Sequence, residues 1–185
     1  MQLKDVAEIQ YSIPVATKKK EIVNGRWLNG SGLLENNQTI TIDTSYEYDF
    51  KSVLQVSQDD LLLKRISPTF VNIYEDIQSA YIGTNIIRIR VKEEYDPYFV
   101  MLVLENHLKE LNEKSNNGTR ISAINRESLE SVEIPNVEIK QQKRIGNWIK
   151  LKYKSMLLQE ELHNKIALKN KLIEKQILLK IKGEN

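Results

Sequence analysis

The sequence predicts an α+β protein: a β-rich domain of mixed or antiparallel strands and short helices, followed by one long C-terminal helix. Short alternating or continuous apolar segments before residue 138 are typical of strands. By contrast, residues 138–182 contain no proline, one glycine (Gly146) and many good helix formers. We therefore expect two domains, 1–137 and 138–185.

The N-terminal region begins with a short helix or turn, predicted for residues 2–10 because Leu3 and Val6 lie on one side. Residues 13–38 contain Pro14 and several Asn-Gly and glycine positions, which favour turns. This stretch is therefore predicted to be irregular.

The predicted strands share alternating or continuous apolar composition and lie at 39–42, 52–56, 61–66, 70–74 and 86–91. Asp96-Pro97 then predicts the start of a helix over 97–113, because aspartate is a good N-cap and proline suits the first helical position. Residues 121–134 are predicted to form a short helix leading into a strand, which ends at Pro135.

The C-terminal helix of about 45 residues would be about 67 Å long, whereas a domain of 137 residues is roughly 35–40 Å across. The helix is therefore predicted to project. Its apolar residues recur mostly every four positions and would need a partner helix in a coiled coil. The residues predicted to contact that partner are Leu158, Leu162, Ile166, Leu172, Ile173 and Ile177.

Composition and charge narrow the function classes. The absence of cysteine excludes disulfides and thiolate metal sites. The N-terminus lacks a signal-peptide pattern and the longest apolar run (98–104) is too short to cross a bilayer, so a cytoplasmic protein without membrane contact is expected. Residues 138–185 carry a net charge of +7 and the rest −5, which predicts a basic helix that contacts phosphate or an acidic partner.

No pattern supplies a convincing catalytic, nucleotide or metal site. Gly25-x4-Gly30-Ser31 lacks the lysine of a phosphate-binding loop, and the two histidines, His107 and His163, lie on different elements. The segment Asp96-Pro97-Tyr98-Phe99 is similar to the loop that grips the target base in amino-methyltransferases, and Glu138-x-Lys140 is similar to the metal-binding core of a nuclease. Both are better explained as the starts of helices. The chain is therefore expected to be a binding protein with no cofactor and no metal of its own.

Basic, amide and aromatic side chains in predicted loops form the candidate DNA-reading surface. Arginine and lysine pair with guanine, asparagine with adenine, and lysine, serine or threonine contact phosphates. The predicted DNA-binding residues are Lys18, Lys19, Lys20, Arg26, Trp27, Asn29, Lys64, Arg65, Thr69, Asn116, Asn117, Thr119 and Arg120.

Four segments together resemble the specificity subunits of Type I restriction–modification systems. Residues 3–9 (LKDVAEI) resemble the family's opening, and 59–65 (DDLLLKR) its strand "G-D-I-L-L-x-R". Residues 86–89 followed by 96–99 (DPYF) resemble its strand and "P-x-Y-L" helix. The most specific part is the junction at 121–145, where Val132-x-Ile134-Pro135 precedes Gln142-Lys143-Arg144-Ile145.

The resemblance implies sequence-specific recognition of double-stranded DNA. Specificity subunits usually carry two recognition domains and two spacer helices, whereas this chain has one of each and therefore resembles a half-subunit. It would pair through antiparallel helices with a second copy or another half-subunit, and read a bipartite site. A separate methyltransferase subunit would hold S-adenosylmethionine, and a motor-nuclease subunit is a further candidate partner.

Two other functions stay open. A coiled-coil adaptor or anti-restriction decoy would bind the methyltransferase without reading DNA, which the acidic N-terminal domain favours. An enzyme, such as a metal-dependent nuclease, would need turnover by the chain alone.

Overall fold

The structure, a computed structural model, describes residues 1–12, 21–48, 53–115 and 123–182. Within these ranges, two sheets and four helices confirm the predicted α+β class and the long C-terminal helix. The chain divides into two compact units, Met1–Ile149 and Lys150–Asn185. The domain boundary at residue 137 stays a prediction.

The first sheet is entirely antiparallel and begins after helix α1 (Leu3–Val6), where the sequence predicted a short helix or turn. Its strand order is β1-β8-β5-β6. The bounds are β1 Ala7–Tyr11, β5 Leu61–Lys64, β6 Val71–Ile73 and β8 Ile86–Val91. Three of these strands lie within segments that were predicted as strands. The prediction of a short helix or turn over 2–10 is wrong from Ala7 onward, where the chain forms β1.

The second sheet is mixed, with strand order β3-β2-β7-β4 and a parallel pairing between β2 and β7. The bounds are β2 Glu21–Leu33, β3 Thr39–Tyr48, β4 Leu54–Val56 and β7 Ala80–Ile82. The two sheets share one apolar core, to which the second contributes Leu28 and Ile82 and the first Leu62 and Ile86. Burial of these side chains holds the sheets together.

The prediction that residues 13–38 are irregular is wrong for 21–33, which form β2. Asn-Gly positions that favour turns lie here within a bulged strand, whose register shifts between Leu28 and Leu33. Gly25 has a φ of 156°, and a Cβ there would lie 2.9 Å from Tyr81 Cε2. The glycine therefore allows an aromatic ring to pack on the strand, and no turn is needed.

Helix α2 (Pro97–Ser115) confirms the predicted helix and its cap: Phe99 N donates to Asp96 Oδ1 at 3.0 Å. It packs against β6 and buries Val100, Met101 and Leu104. A shorter helix, α3 (Arg126–Glu130), follows, and Glu133 beyond it pairs with Gln2 in an isolated bridge.

Helix α4 (Ile139–Lys182) is continuous over 44 residues. Its first turns pack on the N-terminus of α2, where Gln142 Oε1 accepts from Asp96 N at 3.0 Å. A Cβ on Gly146 would clash with Asp96 Oδ1. Gly146 therefore permits a close approach between the two helices.

Replacing Gly146 with alanine is expected to destabilise the protein by about 1–3 kcal/mol, because the added methyl group displaces the Asp96 cap. In an unpacked helix the same change would stabilise by about 1 kcal/mol. The neighbouring exposed Asn147 provides the control, since Asn147→Ala should be neutral or slightly stabilising. Urea unfolding midpoints measure both, and a stabilised Gly146→Ala variant would contradict the packing role.

Candidate nucleic-acid interface

Arg26, a predicted DNA contact on β2, is held by its own neighbours. Its Nη2 lies 2.7 Å from Asp76 Oδ2 and 2.8 Å from Thr41 Oγ1, and its Nη1 donates to Gln78 Oε1 at 2.9 Å. Hydrogen bonding to Arg26 lowers the pKa of Asp76 and in turn raises the pKa of Arg26. A guanine contact by Arg26 would have to replace bonds that this side chain already makes.

Trp27 lies in the interior, which corrects its prediction as a surface contact. The side chain is 1% exposed, and its ring packs against Tyr46 and Tyr81 with centroid distances of 4.9 and 5.1 Å. Alternation along β2 directs Trp27 to the face covered by these two tyrosines. Its role in this structure is packing.

Asn29, on β2, contacts both β3 and the turn that follows β7. Its Nδ2 donates to Tyr46 Oη at 3.2 Å, and its Oδ1 is so close to Gly83 that a Cβ there would be 2.8 Å away. Gly83 begins the turn between β7 and β8, which continues to the exposed Asn85. Asn85 O accepts from Arg65 N at 2.8 Å. Asn29 and Arg65 thus lie on either side of this turn, which we call the 83–85 turn.

The other residues predicted after β5 are more dispersed. Lys64 Nζ lies 4.9 Å from the centroid of the Phe70 ring. Thr69 is exposed, in a groove that it shares with Glu105 and Lys109 of α2. Within the described part of the chain, Arg65 is the member of this group that hydrogen-bonds to the 83–85 turn.

Seven predicted contacts lie outside the described residues: Lys18, Lys19, Lys20, Asn116, Asn117, Thr119 and Arg120. Two of the described residues, Ser12 and Ala123, contact strands and residues next to the 83–85 turn. Ser12 N donates to Ile86 O at 3.5 Å, and Ala123 pairs with Ile66 in an isolated bridge.

Two residues, on β1 and α3, were missed by the sequence prediction. Tyr11 ends β1, and the Arg126 guanidinium lies 5.5 Å from the centroid of its ring. Burial raises the pKa of Tyr11 to about 12, so its hydroxyl is protonated at neutral pH. Arg126 begins α3 directly after Asn125, whose side chain caps that helix through Glu127 N at 2.9 Å. The asparagine cap is visible in the sequence and could have placed Arg126 at the start of a helix.

Neither histidine lies in a cluster that could hold a metal. His107 Nδ1 is 2.8 Å from Val103 O in its own helix, and His163 is exposed on α4. Within the described part of the chain, no group of three or more His, Asp or Glu side chains could hold a metal ion. Among the same residues, no helix combines the length and apolarity needed to cross a membrane.

The predicted partner-contacting residues of α4 are all exposed in the chain on its own. Leu158, Leu162 and Leu172 are 57%, 59% and 55% exposed, and Ile166, Ile173 and Ile177 are 50%, 43% and 52% exposed. Leu151 and Ile181 are exposed as well, so apolar side chains reach solvent along most of the second unit.

Comparisons with known proteins identify the family. The family model for the Type I restriction modification DNA specificity domain matches residues 1–168. The chain belongs to this family. A comparison with curated protein sequences found no match.

Solved structures share the fold of this specificity domain. The HsdS subunit from Thermoanaerobacter tengcongensis is 16% identical, with a TM-score of 0.60 over 85% of this chain and 37% of its own length. A chain from a structure of the assembly and conformational transition of the type I R-M system is 16% identical, with a TM-score of 0.66 over 96% and 44%. The Type-I restriction-modification S subunit from M. genitalium is 14% identical, with a TM-score of 0.52 over 82% and 37%. The specificity domain thus spans less than half the length of these subunits.

Proposed function

We propose that the chain is a half-subunit that recognises double-stranded DNA in a Type I restriction–modification system. The observation that carries this proposal is the match of the specificity-domain model to residues 1–168. Two copies would pair through α4, so that two recognition domains read the halves of a bipartite, two-fold symmetric site. The methyltransferase subunit would be recruited to this assembly.

The exposed apolar side chains of α4 support pairing. Side chains such as Leu162 and Ile173 recur at steps that keep them on one side of a helix. Burying each of these side chains against a partner helix would contribute about 1.5–3 kcal/mol to the free energy of association. We assign this surface to the antiparallel helix of a second copy. In a two-fold interface both copies contribute the same surface, so the apolar residues of one helix would pack against the same residues of the other.

The edge around the 83–85 turn supports a DNA-reading role for the first unit. It joins Asn29, Asn85 and Arg65, residue types that bind adenine, guanine or phosphate oxygens. The first unit as a whole is acidic, so DNA contact would depend on a local patch such as this edge.

The chemistry of modification is assigned to other subunits. A methyltransferase subunit would bind S-adenosylmethionine and act on an adenine extruded from the duplex. A motor-nuclease subunit would cleave. This chain would supply sequence recognition and the spacing between the half-sites.

This function can be tested by selecting, from a pool of random DNA duplexes, the sequences that the protein binds. The purified chain, alone and with its methyltransferase subunit, is expected to enrich a motif of two inverted half-sites separated by a constant gap. Binding should resist mixed competitor DNA and weaken steeply with salt, because phosphate contacts release counterions. Enrichment of no motif under either condition would overturn the assignment.

An anti-restriction decoy is the second candidate, favoured by the net charge of −5 before residue 138. Acidic surfaces can imitate DNA and would bind the methyltransferase directly. The decoy predicts tight binding to that subunit, no DNA affinity, and competition with duplex DNA. Selection and competition experiments therefore separate the two functions.

A further inference from the structure

An apolar stripe in the second unit is symmetric about one of its own residues. Leu158 and Ile166 lie four residues from Leu162, one on each side, and Leu151 and Ile173 lie eleven residues from it. All five side chains are exposed in the single chain. They lie within about 40° of Leu162 around α4, because successive residues of a helix are about 100° apart. Such a surface fits an identical surface that runs in the opposite direction.

The polar positions within this stripe are symmetric as well. Ser155 and Lys169 lie seven residues before and after Leu162, on the same side of the helix. In an antiparallel pair centred on Leu162, Ser155 of each copy would lie opposite Lys169 of the other. The small serine leaves room for the longer side chain, and its hydroxyl can accept a hydrogen bond from the ammonium group.

The charged side chains beside the stripe favour the same arrangement. A two-fold axis perpendicular to two antiparallel helices brings the same flank of each helix together. On one flank, Lys152 lies ten residues before Leu162 and Glu174 lies twelve after it. Lys152 of each copy would therefore be offset from Glu174 of the other by only about 3 Å along the helices. These opposite charges would attract across the interface.

The other flank carries Glu161 and Lys165, which already form an ion pair within the single chain at 2.6 Å. Glu161 lies one residue before Leu162 and Lys165 lies three after it. In the pair, Lys165 of each copy would again be offset from Glu161 of the other by about 3 Å. Two acids and two bases would thus form one balanced network beside the symmetry axis.

A second symmetric centre in the same helix is less favourable. Apolar positions between 158 and 181 are also symmetric about the midpoint between Lys169 and Asn170. Pairing there would place Lys169 of one copy beside Lys169 of the other and would leave Leu151 uncovered. Like charges in contact disfavour association. The charges therefore select the centre at Leu162.

We propose that two copies of α4 pair in the antiparallel direction with Leu162 on the two-fold axis. Leu151 of each copy then packs against Ile173 of the other. Leu158 packs in the same way against Ile166. The inference rests on the proposed pairing of half-subunits, and it specifies which residues meet. Since the paired helices would set the spacing of the half-sites, this register would also fix the gap between them.

Single-cysteine variants test this register without background, because the chain contains no cysteine. Leu162→Cys is expected to give a disulfide-linked dimer on mild oxidation, since the two sulfur atoms would meet at the axis. Lys169→Cys is the matched control. Its two copies would lie about 21 Å apart along the helices, which is too far for a disulfide. Electrophoresis without reductant measures the covalent dimer.

A mixing experiment tests the direction of the helices. Leu151→Cys and Ile173→Cys should each remain uncross-linked alone, because the equivalent positions of an antiparallel pair would be about 33 Å apart. A mixture of the two variants should form the disulfide. In a parallel pair, each variant would instead cross-link with itself.

Charge reversal tests the flank contacts. Lys152→Glu should raise the dissociation constant of the dimer about fivefold to tenfold, because two attractive contacts in each dimer become repulsive. Adding Glu174→Lys to the same chain should restore wild-type association. Lys171→Glu is the control: it makes the same charge change at an exposed position on the opposite side of the helix and should have little effect. Sedimentation velocity over a dilution series measures all three.

The outcomes separate this register from the proposed function. Cross-linking by Lys169→Cys, with none by Leu162→Cys, would overturn the register and leave the homodimer standing. Self-cross-linking by both Leu151→Cys and Ile173→Cys would show a parallel pair and would also overturn it. Failure of Glu174→Lys to restore association would refute the flank contacts. A monomeric wild type would refute the homodimer itself, whereas DNA recognition is decided by the selection experiment.

Discussion

Replacing Leu162 and Ile173 with glutamate is expected to convert the proposed dimer into a monomer. Both side chains are exposed in the single chain, at 59% and 43%, and lie on the same side of α4. Their burial in two copies would contribute at least about 6 kcal/mol, so the dissociation constant should rise by more than about 10⁴-fold. Sedimentation velocity at about 20 μM measures the change directly.

The same variant separates pairing from DNA recognition. Its recognition unit is untouched, so it should still bind a single half-site weakly but lose the preference for a fixed gap between half-sites. The control is Asn164→Glu with Ala167→Glu, which adds the same charges on another side of the helix and should remain dimeric. If the wild type is already monomeric at this concentration, the apolar side chains serve another protein and the homodimer is excluded.

Sequence patterns predicted the elements whose stability is mostly local. Helix α2 carries its own start signal at Asp96-Pro97 and an apolar face, and α4 carries strong helix formers over its whole length. Strand β8 was predicted because apolar residues alternate or repeat along it. These signals depend on neighbours within a few residues, which a single sequence displays.

The errors arise where distant contacts decide the structure. Strand β2 contains Gly25, which favours a turn by local propensity, yet pairing with β3 and packing by Tyr81 make it a strand. Strand β7 has only three residues and pairs in parallel with β2, so it has almost no local signal.

The candidate interface shows the same division. Arg65 and Asn29 were predicted from residue type, and the 83–85 turn brings them to one edge. Residue type alone could not show that Trp27 is buried beneath two tyrosines. It also could not reveal Tyr11, since its unpaired hydroxyl depends on strand pairing and on a helix more than 100 residues away.

Removing the side chain of Arg88 is expected to produce a large loss of stability in the first unit. Arg88 is 7% exposed, and its burial lowers the pKa of its guanidinium. Nη1 donates to Gln55 O at 2.6 Å and Nη2 to Gln10 Oε1 at 2.5 Å, which links β4 of one sheet to β1 of the other. Hydrogen bonds from charged donors contribute about 1.5–3 kcal/mol each. Arg88→Ala should therefore cost about 3–5 kcal/mol, since it also leaves a cavity.

Replacing Arg88 with methionine separates the loss of its hydrogen bonds from the loss of its side-chain volume. Arg88→Met removes both hydrogen bonds but fills most of the volume and buries apolar surface worth about 1.5–3 kcal/mol. It should therefore destabilise by about 1.5–3 kcal/mol, because the apolar burial offsets only part of the cost of leaving Gln55 O and Gln10 Oε1 without their donor. Arg144→Ala, which removes an exposed arginine of α4, should change stability by less than about 0.5 kcal/mol. Urea unfolding with an unchanged slope measures all three. Equal destabilisation by alanine and methionine would assign the effect of Arg88 to its hydrogen bonds. If both variants lowered the free energy of unfolding by less than about 1 kcal/mol, the sheets would be held together by the apolar core alone.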